Sequence, residues 1–297
     1  MKVRIGVSTG LDETEPEHLG LLVDDLQQLG FDSLWVPEIL TAPVSDPLTV
    51  LAWTAARVDR LKLGTTMVLP GRNPVRLAKQ LAGLDRLSGG RLLVTFVAGL
   101  PRPAELQALG VDAPARLAQI EELLPLVRRL WSEDAVNHEG PCWQLRDVTV
   151  QPRPRQQPLE VWLGGTARAS LRRVGELSDG WLPSGCTPEQ AAEGRQLVEQ
   201  TAAEAHRSIS PEHFGVSIGY FTDGLPPGFR GTTPGARRPL PPGAVPGTLV
   251  ELRRLIERFV EAGMSKFVVR PLHPLGSAAD RALHRRRLAE AVLPLQT

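Results

Sequence analysis

The stretch 161–183 has the residue types of an anion-binding turn. The apolar run 161–163 is followed by Gly164, Gly165 and Thr166, and then by a helix-like pattern. A glycine turn before a helix exposes backbone N–H groups at the positive end of the helix dipole, so it can hold a phosphate group. Thr166 can cap the helix and also bind a phosphate oxygen. These three residues are phosphate-binding candidates, although a tight turn that binds nothing would have the same composition.

Polar residues also follow other apolar runs of the chain. Ser8 and Thr9 end the first run, Glu38 follows the second, Ser184 follows the sixth and Arg270 follows the last. Ser184 is a further phosphate-binding candidate. Glu38 is either a ligand contact or a solvated loop carboxylate. Arg270 either contacts an anionic substrate or pairs with a surface carboxylate.

Other reactive residue types form no recognisable site. The two cysteines, Cys142 and Cys186, lack metal-ligand spacing, and the six histidines form no metal-binding pattern. A lone histidine such as His273 seldom identifies a site, so we favour a structural role for it. The chain contains no G-x-G-x-x-G turn opening a helix, no Walker loop and no G-x-S-x-G elbow. Nucleotide-binding and serine-hydrolase chemistries of those kinds are therefore not indicated.

Composition points to a globular protein without nucleic-acid or membrane partners. The 297 residues are 42% hydrophobic and carry a net charge of +1, so no charge excess indicates nucleic acid or a membrane surface. No apolar run reaches the roughly 18 residues that span a bilayer. The first residues lead into a strand rather than a signal peptide, so we expect a cytoplasmic protein.

Short apolar runs alternate with helical patterns along the whole chain. The predicted strands are 3–8, 33–37, 63–68, 92–98, 161–163, 180–182, 214–221 and 266–269. The predicted helices are 16–29, 46–56, 74–87, 115–131, 168–176, 188–206, 248–262 and 278–292. Strands that are each followed by a helix indicate a parallel sheet buried on both faces. Eight such units in one chain favour an α/β fold, a single (β/α)8 TIM barrel over 1–297, rather than an open sheet.

Two insertions interrupt the alternation. Segment 132–158, after the fourth helix, contains a predicted hairpin at 135–145 and belongs to the face opposite the active site. Segment 223–247, after the seventh strand, is rich in proline and glycine and carries Arg230, Arg237 and Arg238. A loop of this length is either a lid or a disordered linker, and composition leaves the two open.

Six stretches in order resemble the luciferase-like monooxygenase superfamily, and within it the coenzyme F420-dependent oxidoreductases. They are LGFDSLWV (29–36), LGTTMV (63–68), LAKQ (77–80), LDRLSGGRL (84–92), PLEVWLGG (158–165) and SDGW (178–181). The resemblance implies a (β/α)8 barrel that binds F420 or FMN at the carboxyl-terminal ends of its strands. The glycines of 88–90 precede a strand instead. We interpret them as a left-handed helix cap outside the site.

The resemblance also assigns residues to the cofactor. The turn at Gly164 would hold the cofactor phosphate, and Glu38 and Gly99 would lie beside the cofactor. Thr66, Met67 and Val68 would back its ring, at a strand-end bulge that in this family often carries a non-prolyl cis peptide. An ordinary strand end would have the same residues. Ser8 and Thr9 would line the ring pocket, Arg270 would face the substrate, and a homodimer is expected by analogy.

Two departures bear on the substrate. The sugar-phosphate-oxidising enzymes that the chain resembles carry a histidine and a glutamate where this chain has Ile39 and Leu100. A sugar phosphate is therefore disfavoured, and the catalytic residues stay unidentified. The leading hypothesis is hydride transfer between F420 and a small organic substrate. The alternatives are an FMN-dependent two-component monooxygenase, a non-catalytic cofactor-binding barrel, and a phosphate-binding isomerase or aldolase. The last is weakened because Lys62 and Lys266 do not end strands.

Overall fold

The structure, a computed structural model, describes residues 1–9, 15–100, 102–112, 115–229, 231 and 239–297. The strands in this part are β1 (Arg4–Ser8), β2 (Ser33–Pro37), β3 (Lys62–Val68), β4 (Leu92–Val97), β5 (Val136–Glu139), β6 (Gln144–Val148), β7 (Val161–Leu163), β8 (Gly180–Trp181), β9 (Gly215–Tyr220) and β10 (Lys266–Pro271). The α-helices are α1 (Pro16–Leu29), α2 (Pro47–Ala55), α3 (Pro74–Leu87), α4 (Pro103–Leu109), α5 (Ala115–Ser132), α6 (Arg168–Leu177), α7 (Pro188–Glu204), α8 (Leu249–Glu261) and α9 (Ala278–Val292).

Eight of these strands form one parallel sheet that curls into a barrel. Their order is β8-β7-β4-β3-β2-β1-β10-β9. Parallel bridges from Trp181 to Phe214 and from Ser184 to Ser217 join β8 to β9. The predicted (β/α)8 architecture is therefore confirmed, with a hairpin inserted after α5 and a long connection after β9.

Side chains alternate along each barrel strand between the barrel interior and the core beneath the helices. On β10, Phe267 and Val269 pack in the outer core. Val268, between them, joins Trp35 and Trp162 in a separate cluster inside the barrel. Because successive residues of a strand point to opposite faces, this parity identifies the inward-facing positions of each strand.

Most element boundaries agree with the sequence pattern, and the exceptions concern strand ends. Lys62 is the first residue of β3 and does not precede it. Arg270 lies within β10, where it pairs in register with Gly219, so the prediction that it follows the strand is wrong. The strand continues because the ladder with β9 extends to Pro271.

Helix α4 is absent from the sequence prediction. It has seven residues, too few for a clear helical period, and Arg102 at its N-cap makes no side-chain capping bond. Tertiary contacts hold it instead. Glu105 is 1% exposed, and its carboxylate accepts the Leu40 N–H at 3.3 Å, the Thr41 N–H at 2.8 Å and the Thr41 hydroxyl.

The β5–β6 hairpin was predicted from sequence and is fastened to α5 by Glu122. The carboxylate of Glu122 accepts the backbone N–H groups of Cys142 and Trp143 at 2.9 and 3.0 Å, and it lies 2.8 Å from His138 Nε2. Burial alone would raise the pKa of Glu122, but these hydrogen bonds lower it below its ordinary value. The hairpin therefore has an ionised anchor outside the barrel.

The glycines of 88–90 close α3 on the amino-terminal side of the barrel. Gly89 and Gly90 have φ of 71° and 85°, in the left-handed region, and the Gly90 N–H donates to the Asp85 carbonyl at 2.8 Å. The expected left-handed cap is present, and its position before β4 agrees with its exclusion from the site.

Candidate cofactor site at the barrel mouth

The predicted site residues follow or end the barrel strands at their carboxyl-terminal ends, an opening that we call the mouth. Parallel (β/α)8 barrels bind their ligands on this face. The structure places them in three groups: Glu38, Thr66, Val68 and Gly99 at β2–β4; Gly164, Gly165, Thr166 and Ser184 at β7 and β8; and Ser8, Thr9 and Arg270 at β1 and β10.

Glu38 holds the end of β3. Its carboxylate accepts the Val68 N–H at 2.7 Å and forms an ion pair with Arg72. Arg72 in turn donates from Nε to the Val68 carbonyl at 2.7 Å. The Glu38 side chain is 6% exposed. Its carboxylate is therefore engaged within the protein, which favours a positioning role over a direct cofactor contact.

The end of β3 is a regular strand. Its register with β4 continues without a shift from Leu63 to Val68. Among the described residues, the cis peptide bonds are Gln151–Pro152 and Gln157–Pro158. The strand-end bulge expected here is thus absent from the structure. Met67 packs in the outer core, with no exposed surface, so it presents neither side chain nor backbone to a ligand. Thr66, of opposite parity, points into the barrel.

Gly99 brings the end of β4 against β3. It has a φ of 81°, and an added Cβ would lie 3.1 Å from Val68 Cγ1 and 3.2 Å from Leu109 Cδ1. Glycine is favoured because it adopts this backbone conformation freely and leaves the space open. Glu38, Val68 and Gly99 consequently form one continuous wall of the mouth.

The glycine turn lies between β7 and α6, as predicted. The Gly164 N–H continues the ladder to the Phe96 carbonyl at 3.0 Å, and an added Cβ at Gly164 would lie 2.9 Å from Val97 Cγ1. Gly165 has a φ of 105°, and its carbonyl accepts the Trp181 indole N–H at 2.9 Å. The backbone of the turn is held by the barrel itself.

Thr166 does not cap α6. The N-cap residue is Ala167, without a side-chain capping bond; Thr166 is the residue before it and is exposed. The cap falls one residue later than predicted because Ala167 is the last residue with extended φ and ψ. Among the described residues, no side chain therefore caps the first-turn N–H groups of α6. By contrast, α7, α8 and α9 are capped by Thr187, Thr248 and Ser277.

Ser184 lies at the end of β8, exposed beside the turn, and bridges to Ser217 of β9. Part of segment 223–247 reaches this point. An added Cβ at Gly185 would meet Leu240 Cδ2 at 2.5 Å, so Leu240 lies directly over the β8 turn. The base of the segment is closed by Gly224 N–H donating to the Gly247 carbonyl at 2.9 Å. Arg230, Arg237 and Arg238 lie outside the described residues.

The third group combines buried hydroxyls with a cation. Ser8 and Thr9 are each 4% exposed, and the Thr9 N–H donates to the Trp35 carbonyl at 2.9 Å. Arg270 lies two residues after the inward-facing Val268 on β10. Its side chain therefore also points into the barrel. Burial lowers the pKa of its guanidinium below the ordinary value.

One polar cluster beside the mouth escaped the sequence analysis. His273 Nε2 lies 3.0 Å from Thr222 Oγ1, whose hydroxyl donates to Asp223 at 2.8 Å. This pattern makes Nε2 the donor of the imidazole and leaves Nδ1 as an acceptor. Nδ1 is buried without a partner among the described residues. The ring stacks on Phe221 with centroids 5.8 Å apart. No local signal predicts the cluster, because His273 lies 51 residues from Thr222.

A cavity of about 150 Å³ opens at the other end of the barrel. It is lined by the tryptophans of the interior cluster and by residues at strand beginnings, including Arg4, Lys62 and Lys266. Active sites of this fold form at the carboxyl-terminal face, so we place the functional site at the mouth and not in this cavity. Within the described ranges, no group of His, Cys, Asp and Glu side chains could hold a metal ion. In the same ranges, no helix is long and apolar enough to cross a membrane.

Comparison with known proteins identifies the family. The model of the luciferase-like monooxygenase family matches residues 2–223. The F420-dependent glucose-6-phosphate dehydrogenase of Kineococcus radiotolerans is 27% identical over 69% of this chain and 61% of its own length. The FMNH2-dependent dimethylsulfone monooxygenase of Pseudomonas putida is 29% identical over 54% of this chain and 46% of its length. The chain thus spans less than two thirds of these two relatives.

A solved structure supports the same fold. An F420-dependent secondary alcohol dehydrogenase, in complex with an F420–acetone adduct, superposes with a TM-score of 0.81 at 19% identity, over 100% of both chains. The chain belongs to the luciferase-like monooxygenase family. Relatives in this family are named oxidoreductases and monooxygenases, and they use F420 or FMN.

Proposed function

We propose that this chain is an oxidoreductase that binds coenzyme F420 at the mouth and transfers a hydride between it and a small organic substrate. One observation carries the proposal beyond family membership. The glycine turn at Gly164 and Gly165 leads into a helix whose first N–H groups have no side-chain cap, on the ligand-binding face of the barrel. Such a helix start attracts a phosphate group.

The residues at the mouth fit a phosphate-bearing, ring-containing cofactor. The exposed hydroxyls of Thr166 and Ser184 flank the glycine turn and can donate to phosphate oxygens. The wall formed by Glu38, Val68 and Gly99 could lie against the face of a planar ring. When bound, a deazaflavin ring supplies the hydride chemistry, and the protein supplies position and exclusion of water.

Each residue group has a distinct part in this arrangement. The turn at Gly164 would hold the cofactor tail, and the Glu38–Arg72 pair would keep the Val68 wall in place. Leu240, in the described part of segment 223–247, lies over the β8 turn. This contact supports a covering role for the segment, which would shield the mouth from water.

The preference for F420 over FMN rests on the sequence pattern and on a composition of 30 arginines against four lysines, typical of actinobacterial proteins. FMN is the second candidate because FMN-dependent monooxygenases also match the chain. Ile39 and Leu100 replace the histidine and glutamate of the sugar-phosphate-oxidising type, so a sugar phosphate stays disfavoured.

Titration of the cofactor-free protein with F420 and with FMN tests the proposal. We expect saturable quenching of F420 fluorescence and weaker binding of FMN. The variant Gly165→Ala should weaken F420 binding, and Gly83→Ala, within α3 and remote from the mouth, is the control. Tight FMN binding with oxygen-dependent turnover would instead support a monooxygenase. Failure to bind either cofactor would refute the proposal.

A further inference from the structure

Arg270 is a cation inside the barrel mouth. Among the described residues, its guanidinium forms no hydrogen bond or ion pair. Burial lowers the pKa of Arg270 below its ordinary value. An unpaired, partly desolvated guanidinium is unfavourable in a folded protein unless a ligand pairs with it.

The carboxylates near the mouth are already engaged elsewhere. Glu38 is bound to Arg72 and to a backbone N–H. Glu105 accepts the N–H and hydroxyl of Thr41. Asp223 is exposed and accepts a hydroxyl from the preceding residue. The positive charge of Arg270 is therefore not neutralised by any described carboxylate at this face.

The surroundings of Arg270 favour a compact oxyanion. The register between β1 and β10 pairs Val7 with Val269, so Ser8 and Arg270, one residue further on, are inward-facing neighbours. On the other side Arg270 pairs with Gly219, where an added Cβ would lie 2.8 Å from Leu272. The strand position on one side of Arg270 thus carries a hydroxyl, and on the other side the Leu272 side chain lies over Gly219. A planar fork of N–H donors beside a hydroxyl matches a carboxylate.

We infer that the substrate of this enzyme carries a carboxylate, or an oxyanion of similar size, that binds Arg270 and Ser8 and thereby orients the reacting end of the substrate. The inference rests on the proposed function for the reaction, but the anion site itself can be measured without cofactor. The oxyanion that binds Arg270 could also belong to the cofactor, through its phosphate or its ring, instead of to the substrate. The experiment separates the two.

Calorimetric titration of the cofactor-free full chain with benzoate and with its neutral analogue benzamide tests the site. We expect wild-type protein to bind benzoate at least about tenfold more tightly than benzamide. Arg270→Gln should abolish that preference, and Arg270→Lys should retain part of it because the charge stays but the fork is lost. Arg60→Gln, which removes an equal charge at an exposed position, should leave it unchanged. Thermal unfolding of each variant verifies the fold, and Arg270→Gln should unfold no earlier than wild type.

Titrations of the same proteins with F420 and FMN identify the source of the anion. If Arg270 serves the substrate, Arg270→Gln binds cofactor about as tightly as wild type. Loss of about tenfold or more in cofactor affinity, with no benzoate preference in wild type, would assign Arg270 to the cofactor and overturn the inference. A benzoate preference that survives Arg270→Gln would also overturn it. If anions bind as expected but neither cofactor does, the proposed function fails while the anion site stands.

Discussion

The buried pair Asp32–Lys266 gives a quantitative test of how the barrel tolerates charge. Lys266 begins β10 and is 5% exposed, and its ammonium forms an ion pair with Asp32 at the amino-terminal end of the barrel. Arg4 and Lys62 approach the same carboxylate at 4.0 and 3.9 Å. Asp32 therefore compensates a cluster of three cations. Its replacement by asparagine should leave Lys266 buried without a partner.

The expected loss is large and depends on pH. Removing one partner of a buried ion pair typically lowers the free energy of unfolding by about 3–5 kcal/mol, and we expect a loss of this size for Asp32→Asn at neutral pH. Burial lowers the pKa of Lys266 from 10.5 to about 8. Between these values the unfolded chain binds more protons than the folded one, so stability rises with pH across this window. The rise for Lys266 is on the order of 3 kcal/mol.

The Asp32 carboxyl group makes stability depend on pH in the acidic range. Burial would raise the pKa of Asp32, but Lys266 and Lys62 lower it below its ordinary value. Its stabilising contribution is therefore present above the pKa of the unfolded chain and is lost as pH falls through the lowered folded value. Asp32→Asn should remove this acid-side dependence. Above the pKa of Lys266, the difference between wild type and the variant should shrink because the lysine releases its proton.

Urea unfolding at neutral pH and above the Lys266 pKa measures these differences. The control is Asp24→Asn, which breaks a pair with Arg57 whose side chains are 43% and 39% exposed, and it should change stability by less than about 1 kcal/mol. The double variant Asp32→Asn with Lys266→Met should recover part of the loss because no unpaired charge remains. An Asp32→Asn protein within about 0.5 kcal/mol of wild type, or a double variant as unstable as the single one, would refute the reasoning.

Three other elements give further tests. Glu38→Gln should lower the free energy of unfolding by about 1–3 kcal/mol, because a buried acceptor of the Val68 N–H loses its charge; an unchanged urea midpoint would contradict this. Gly165→Ala should destabilise by about 1–2 kcal/mol because of its positive φ, whereas Gly83→Ala, in a helix interior, should not; equal effects would count against the argument. Glu122→Ala should lower the protection of the β5–β6 hairpin amides against hydrogen exchange, measured relative to the unfolded chain at the same pH, and acid should do the same to wild type as pH falls through the lowered pKa of Glu122.

The barrel was predictable because its signals are local and repeated. Each strand is a short apolar run and each helix has an apolar stripe, so even the three-residue strand Val161–Leu163 is identified by its position between longer elements. Helix α4 was not predictable on these grounds. Its stability depends on the contact between Glu105 and Thr41, which are joined only when β2 and β4 lie near each other in the barrel.

The shared location of the candidate residues at one end of the barrel was predictable, but their hydrogen bonding was not. Residues at the carboxyl ends of parallel strands necessarily converge on one face, so the mouth residues follow from counting strands. Glu38 shows that counting strands does not predict hydrogen-bond partners. Its partner Arg72 lies 34 residues away, and only the folded loop after β3 reveals that the carboxylate is occupied. Thr166 shows the same limit at a finer scale, because the cap of α6 depends on backbone angles.

The engaged carboxylates and the unpaired arginine together constrain the chemistry of the mouth. Glu38 and Glu105 are held by internal partners and are poor candidates for proton transfer. The acceptor Nδ1 of His273 is buried and unpartnered within the described residues. Among the described residues, a mouth with an unpaired cation and engaged carboxylates suits hydride transfer on an anionic substrate better than acid–base chemistry on a neutral one, because a hydride carried by a cofactor requires orientation more than a strong base. Arg270 is the residue that can supply that orientation.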